Sequence, residues 1–297
     1  MISVLIPLYQ VNFIALIDSL INQLSSISLP YEILIGDDSP DPVNHTFPEN
    51  WKSQPIKYFH NKNSMGRSAN RNKLADNAIF ENLLFVDCDA LVPDSEYILR
   101  YINEIDGKSV LCGGTSYQLN KPKRKEQILR WTYGWEREVH SSVERSKNPY
   151  NSFSSFNFCI PSRIFKEIRF DERIKDYGHE DTYFGFELKE RGVPIKHLEN
   201  PLIHNGLESA DVFLNKTERS IEGLLSLARR DAIPAGFLDS NSLWQLSERA
   251  KKSGFTKILR FIHPLLKSLV SVLLKSRNPS LFLFDLYKLS YLSKIQG

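Results

Sequence analysis

The first ninety positions alternate between short apolar runs and polar punctuation. Ile2–Ile6 is almost wholly apolar and meets Pro7, which predicts a first strand stopped there. Phe13, Ile17, Leu20 and Leu24 then recur at three- and four-residue spacing, the mark of an amphipathic helix. Tyr31–Gly36 predicts a second strand, closed by the turn signal DDSPD. IKYFH, residues 56–60, reads as a third. A helix is predicted after it, starting at Gly66 or Ser68, with Leu74, Ala75 and Ala78 as its inner stripe. Leu83–Val86 is the fourth strand, and it runs into Asp87 and Asp89.

Strands that are apolar on both faces and alternate with helices belong in a mostly parallel sheet covered by helices, an α/β architecture. In such open sheets a ligand lies beyond the carboxyl ends of the strands. Here Tyr9 follows the first strand, Asp37 and Asp38 the second, and Asp87 and Asp89 the fourth. A single strand-end Asp reads as a turn or cap residue. Acids ending several strands of one sheet mark a binding edge.

Farther along, residues 121–149 are polar and basic and contain Trp131, Tyr133 and Trp135. Strand, helix, acidic loop, helix and strand then return, and beyond Asn215 the pattern is helical. The expected division is a catalytic region over 1–215, in halves of about 1–115 and 116–215, followed by a helical extension over 216–297.

The chain has 297 residues, of which 41% are hydrophobic and 25% charged, enough for a sizeable core and unlike a disordered or fibrous protein. Its net charge is +3, unevenly placed. From Lys251 to Gly297 nine Lys or Arg stand against the single acid Asp285, a net +8, while the first 250 residues hold 29 bases and 34 acids, a net −5. A basic tail on an acidic body is not a nucleic-acid-binding surface. Cys88, Cys112 and Cys159 are odd in number and widely spaced, which argues against a disulfide framework or zinc site and suits a reducing, cytoplasmic compartment. The opening MISVLIPLYQ lacks a basic leader region, and no run of about 18 apolar residues exists to span a membrane.

A nucleotide suits the strand-end arrangement, yet GxGxxG after the first strand and GxxxxGK[ST] are both absent. Phosphate charge can instead be met by a divalent cation, which takes one or two carboxylates and completes its shell with water and phosphate oxygens. Asp87 and Asp89, two apart in an extended segment, can share a face and supply them.

Together the motifs resemble family 2 of the glycosyltransferases, inverting enzymes of GT-A fold. SVLIPLY resembles the family's first strand and ILIGDDSPD its acidic nucleotide-binding turn. NSMGRSANRNKLADNA resembles its G-x-x-x-A-R-N segment with Asn70 in place of Ala. LLFVDCDALV resembles its DxD strand, and FDERIKDYGHEDTYFGFELKERG its ED motif and helix. The resemblance spans about residues 1–206. It implies a nucleotide-diphospho-sugar donor, UDP-linked, and Mg²⁺ or Mn²⁺. It places Pro7, Tyr9, Asp38 and Arg71 at the nucleotide, with Asp38 on the base. Asp87 faces the ribose or a metal-bound water, and Asp89 binds the metal. Asp181 is the general base and Glu180 positions the acceptor, a hydroxyl of a glycan or lipid-linked glycan. His204 stands where relatives place a metal- or phosphate-contacting His; a lone His reads equally as structural.

Two rival readings share the sheet type. A sugar nucleotidyltransferase normally has a Gly-rich basic loop after the first strand, which PLYQVNF lacks. A non-catalytic nucleotide-sugar-binding or membrane-associated scaffold has no need of both Asp89 and Asp181. Trp131 and Trp135, four apart, read either as a core stripe or as flat faces for a sugar acceptor. The stretch from Phe255 to Lys294 mixes Leu, Ile and Phe with Lys and Arg, broken by Pro264 and Pro279. It reads either as basic amphipathic helices that lie on the inner face of a membrane or as a packed helical subdomain.

Overall fold

A computed structural model describes residues 1–41, 47–174, 178–230 and 233–297. Residues 175–177, within the FDERIKDYG stretch, lie outside the described residues. The strands in chain order are β1 (Ile2–Leu8), β2 (Tyr31–Asp37), β3 (Ile56–His60), β4 (Asn82–Val86), β5 (Ala90–Leu91), β6 (Val110–Cys112), β7 (Thr115–Ser116), β8 (Asn157–Pro161), β9 (Ile195–His197) and β10 (Leu202–His204). The helices are α1 (Ile14–Ser25), α2 (Arg67–Asn77), α3 (Tyr97–Glu104), α4 (Ile128–Arg137), α5 (Ser142–Ser146), α6 (Ser162–Glu167), α7 (Glu180–Glu190), α8 (Ala210–Ala228), α9 (Ala235–Ser240), α10 (Ser242–Lys252), α11 (Thr256–Leu273) and α12 (Leu281–Ile295).

The chain divides into two compact units. The first comprises Met1–Gln118, Val139–Lys175 and Glu180–Gly206. Its seven-stranded sheet has the order β3-β2-β1-β4-β8-β6-β9. β3, β2, β1 and β4 are parallel, β8 runs against both of its neighbours, and β6 and β9 are parallel. The expected mostly parallel α/β sheet is therefore present. Alternation along the strands divides the core into two layers. Val4, Ile6, Leu84 and Val86 face one layer with Leu16, Ile17 and Leu20 of α1 and Ile98 of α3. Leu5, Leu83 and Phe85 face the other, with Leu74 of α2, Phe165 of α6, and Phe184 and Leu188 of α7. A second sheet of order β5-β10-β7 is short, and it pairs His204 with Ala90.

β1 does not stop at Pro7, as the sequence suggested, but continues to Leu8. Its ladder with β4 ends at Leu5, so the missing N–H of Pro7 lies beyond that ladder.

The second unit comprises Leu119–Glu138, Asp176–His179 and Leu207–Gly297. Among its described residues Leu129 of α4, Leu214 of α8, Val270 of α11, Leu274 just after it, and Phe284 and Tyr287 of α12 belong to one cluster. Pro279 separates α11 from α12, but Pro264 lies inside α11 and does not break it. Pro264 is on an exposed face, where water can meet the carbonyl it leaves without a donor, while Leu259, Leu266 and Val270 hold the other side buried. Trp131 and Trp135 share a face of α4 with ring centroids 6.3 Å apart. Both are part-buried, while the fully buried positions of α4 are Ile128, Leu129, Arg130 and Gly134.

Asn157, at the start of β8, ties the first unit together. Its Oδ1 accepts from the Tyr97 and Tyr101 hydroxyls at 2.7 and 2.8 Å, and its Nδ2 donates to the carbonyls of Gly114 and Asn200 at 3.0 and 2.9 Å. Asn157→Ala strands buried polar groups in α3 and two loops, so urea unfolding is expected to lose about 2–4 kcal/mol. A loss below about 1 kcal/mol shows that the node is dispensable.

Candidate active site

The site lies in the first unit, on the edge where β1, β2, β3 and β4 all end. Because the four strands are parallel, Tyr9, Asp38, Asn61 and Asp87 fall at one edge of the sheet.

Asp38 is buried, and its two oxygens accept four hydrogen bonds. Oδ1 takes Asn61 Nδ2 at 3.1 Å and the Met65 N–H at 2.7 Å; Oδ2 takes Ser64 Oγ at 2.8 Å and the Gly66 N–H at 2.9 Å. The carboxylate thus shapes the loop that leads into α2. Asp37 does similar work one residue earlier, accepting from the Ser39 N–H at 2.9 Å and the Tyr58 hydroxyl at 2.5 Å. Tyr9 is half-exposed on the rim, and the Gln10 N–H after it bonds Ser39 Oγ at 2.9 Å. Pro7 is part-buried in β1 opposite Gly36.

Helix α2 is unusual because its inner face is polar: Ser68, Asn70, Arg71 and Asn72 are all buried. Hydrogen bonds dock it. Asn70 Nδ2 donates to the Gly36 carbonyl at 2.7 Å, and Asn72 Nδ2 donates to the Phe170 carbonyl at 2.9 Å and to Glu172 at 2.8 Å. Position 36 must be Gly, since a Cβ there would stand 2.4 Å from Asn70 Oδ1. Asn70, the departure from the resembled motif, therefore has a structural task. It fastens α2 to the end of β2.

This docking places Arg71 between β4 and α7. Its Nη2 donates to Asp87 Oδ1 at 2.7 Å, and its Nη1 stands 3.8 Å from Glu180 Oε1. The guanidinium is 3% exposed and lies over the Phe170 ring, 5.4 Å from its centroid. Its Nε and Nη1 have no hydrogen-bond partner among the described residues. Arg67, one turn earlier, sets Nη1 3.5 Å from the same Glu180 oxygen. The sequence reading missed Arg67. Its signal was the four-residue spacing to Arg71, which puts both on one helix face.

Asp181 follows Glu180 in the first turn of α7 and accepts from its neighbour's N–H, Thr182, at 2.7 Å. Burial first, and then the adjacent Glu180, push its carboxyl up to about 6, against the pull of Thr182, Arg71 and Arg67. Burial also raises Asp87, with Asp89 adding to the rise and Arg71 opposing it. Cys88 packs against the core; burial and then Asp89 push its thiol up to about 12, so it is no nucleophile near neutral pH.

Asp89 leads into β5, and the β5–β10 register brings His204 beside it, with Nε2 3.4 Å from Asp89 Oδ2. The His204 ring lies between Tyr117 and Phe156, at 5.4 and 5.5 Å. The chain after β10 passes close over the carboxylate. The Asn205 N–H bonds the Asp89 carbonyl at 2.9 Å, and a Cβ at Gly206 would stand 2.4 Å from Asp89 Oδ2. The sequence reading missed Gly206 too, because only the pairing of β10 shows what it passes. Direct contacts thus gather Arg71, Asp87 and Glu180, and separately Asp89 and His204. Asp38 joins through its loop to Asn61, which reaches Asn70 at 3.3 Å.

The Glycosyl transferase family 2 model matches residues 3–168, just over half of the sequence, and the chain belongs to that family. No curated protein matches it by sequence. Among solved structures it resembles S. aureus TarS, with 17% identity, a TM-score of 0.51 and coverage of 90% of this chain but 48% of TarS, about half the length of that protein. TarS 1–349 in complex with UDP gives a TM-score of 0.52 at 17% identity, over 99% of this chain and 90% of the other. The mannosyltransferase PcManGT from Pyrobaculum calidifontis, in complex with GDP-Man and Mn²⁺, gives 0.57 at 10% identity, over 99% and 86%. At these identities the likeness is one of fold, the GT-A α/β fold.

Asp38→Ala leaves four donors of the 61–66 loop without an acceptor. Amide hydrogen exchange at Met65 and Gly66 is expected to accelerate about 100-fold. Unchanged protection shows that the loop is held by something other than Asp38.

Proposed function

We propose that the chain transfers a sugar, with inversion, from a nucleotide-diphospho-sugar to a hydroxyl of a glycan or lipid-linked glycan. The observation that carries this reading is the buried Arg71 guanidinium at the sheet edge, held by Asp87 and Glu180 with two donors unspent. A buried cation with unused donors suits an anionic oxygen, such as one of a diphosphate. UDP, UDP-GlcNAc and GDP-Man in the structures of like fold support a nucleotide-sugar donor, and we favour a UDP-linked one.

The charge balance of the rim supports a divalent cation. Arg67 and Arg71 face Asp87, Asp89, Glu180 and Asp181, an excess of two negative charges when all are ionised. A diphosphate adds more negative charge and enters such a rim readily only with a cation. Asp89 and His204, 3.4 Å apart beneath the Gly206 backbone, are the residues that would hold Mg²⁺ or Mn²⁺. Among the described residues no group of three or more His, Cys, Asp or Glu is arranged to hold a metal. A cation here would complete its shell from water and phosphate oxygens, as Mg²⁺ commonly does. Bound there, it would act as a Lewis acid on the leaving diphosphate.

The protein's own residues supply the rest. Arg71 binds and orients phosphate oxygen. Tyr9 offers a half-exposed ring on the nucleotide side, near the Asp38 loop. Asp181 takes the acceptor hydroxyl's proton as the new bond forms, and Glu180, fixed by Arg67, positions that hydroxyl. A carboxyl raised to about 6 is a stronger base than an ordinary one and remains ionised at neutral pH.

Turnover of UDP- and GDP-sugars, with and without Mn²⁺, tests the reading. Below pH about 6 Asp181 gains a proton and cannot accept another, so kcat/KM should fall on the acid side of that value. Asp181→Asn should keep nucleotide affinity within about threefold and lower transfer by about 10²–10⁴. Transfer at the parental rate removes Asp181 as the base. Asp89→Ala should abolish any Mn²⁺ enhancement of UDP binding; an enhancement that survives removes Asp89 as a metal ligand.

A further inference from the structure

Helix α11 has two apolar faces. One, formed by Leu259, Leu266 and Val270, is buried in the second unit. The other is a stripe of Ile258, Phe261, Leu265, Leu269 and Val272 at three- and four-residue spacing, each between 49% and 81% exposed. One exposed Leu is ordinary; five large apolar side chains in register over about 21 Å of helix mark an interaction surface.

Charge identifies the occupant. No Asp or Glu occurs between Thr256 and Leu273. At 100° per residue Lys257 flanks the stripe on its solvent side, while Arg260 and Lys267 lie about 140° and 160° from its centre. Lys267 is 3.4 Å from Glu218 of α8, and Arg260 Nε donates to the Ser293 carbonyl at 2.8 Å. Lys251 and Lys252 end the preceding helix, with Glu248 3.7 Å from Lys251. A twofold contact between two copies of α11 along the stripe would bring Lys257 of each copy to the rim of the seam, with no acid on the helix to answer it. A surface with an apolar interior and anionic head groups complements both features.

We propose that α11 lies in the interface of an anionic phospholipid bilayer, with Phe261 and Leu265 among the acyl chains and Lys257 at the lipid phosphates. No helix among the described residues is long and apolar enough to cross a membrane, so the contact is peripheral. The binding itself needs neither donor nor acceptor and stands apart from the transferase reading.

Flotation of the full chain with vesicles tests this, using phosphatidylcholine alone or with about 30% phosphatidylglycerol. The chain is expected to float with the anionic vesicles and to bind neutral ones at least ~10-fold more weakly. Phe261→Ser/Leu265→Ser should weaken anionic-vesicle binding ~10-fold or more without lowering the unfolding midpoint, since both side chains are exposed. Lys257→Glu should weaken binding to anionic vesicles only. The proposal is overturned if the parent chain fails to float with anionic vesicles, or if the double variant floats as well as the parent. It is equally overturned if light scattering finds a dimer that the double variant dissolves while vesicles stay unbound.

Discussion

The ion pair between Arg71 and Asp87 holds the candidate site together. It joins the helix after the third strand to the end of the fourth, and through Nη1 the same guanidinium faces the first residue of α7. Burying a charged guanidinium costs several kcal/mol unless neighbours replace its hydration. Asp87, Glu180 and the Phe170 ring replace part of it. Its Nε and Nη1 keep donors without hydrogen-bond partners among the described residues, while burial first, with the neighbouring acids adding to it, raises the carboxyls of Asp87 and Asp181. Stability and chemistry are therefore coupled at one side chain.

The same economy governs the loop around Asp38. Asp38 belongs to the expected site set, yet its carboxylate is engaged by four donors of the loop that it organises. That loop ends at Gly66, the cap of α2, so Asp38 also sets where Arg67 and Arg71 begin. A polar inner face on α2 is costly alone, but each buried amide meets a backbone or side-chain partner. Hydrogen bonds fix the helix's rotation more sharply than apolar contacts could, and Arg71 inherits that precision.

Much of this was legible in the residues. Apolar runs and three- and four-residue spacings located four strands and two helices of the first unit. Asp38, Arg71, Asp87, Asp89, Glu180, Asp181 and His204 were named from their motifs. The misreadings have a common origin. Pro7 and Pro264 were taken as stops because Pro removes a donor, but whether that donor matters depends on what lies opposite. Trp131 and Trp135 were left between a core stripe and an open face, because spacing shows which residues share a face and not what that face meets.

The sequence by itself determined the sheet type, the order of its elements and the family, since periodicity and short motifs are local properties of the chain. Only the tertiary structure decided that Arg71 spans Asp87 and Glu180, that His204 meets Asp89 through an antiparallel register, that Gly206 must lack a side chain, and that one face of α11 stays uncovered. Those facts depend on distances between residues up to about 115 positions apart. Strand pairing and helix docking set such distances, and no local pattern encodes them.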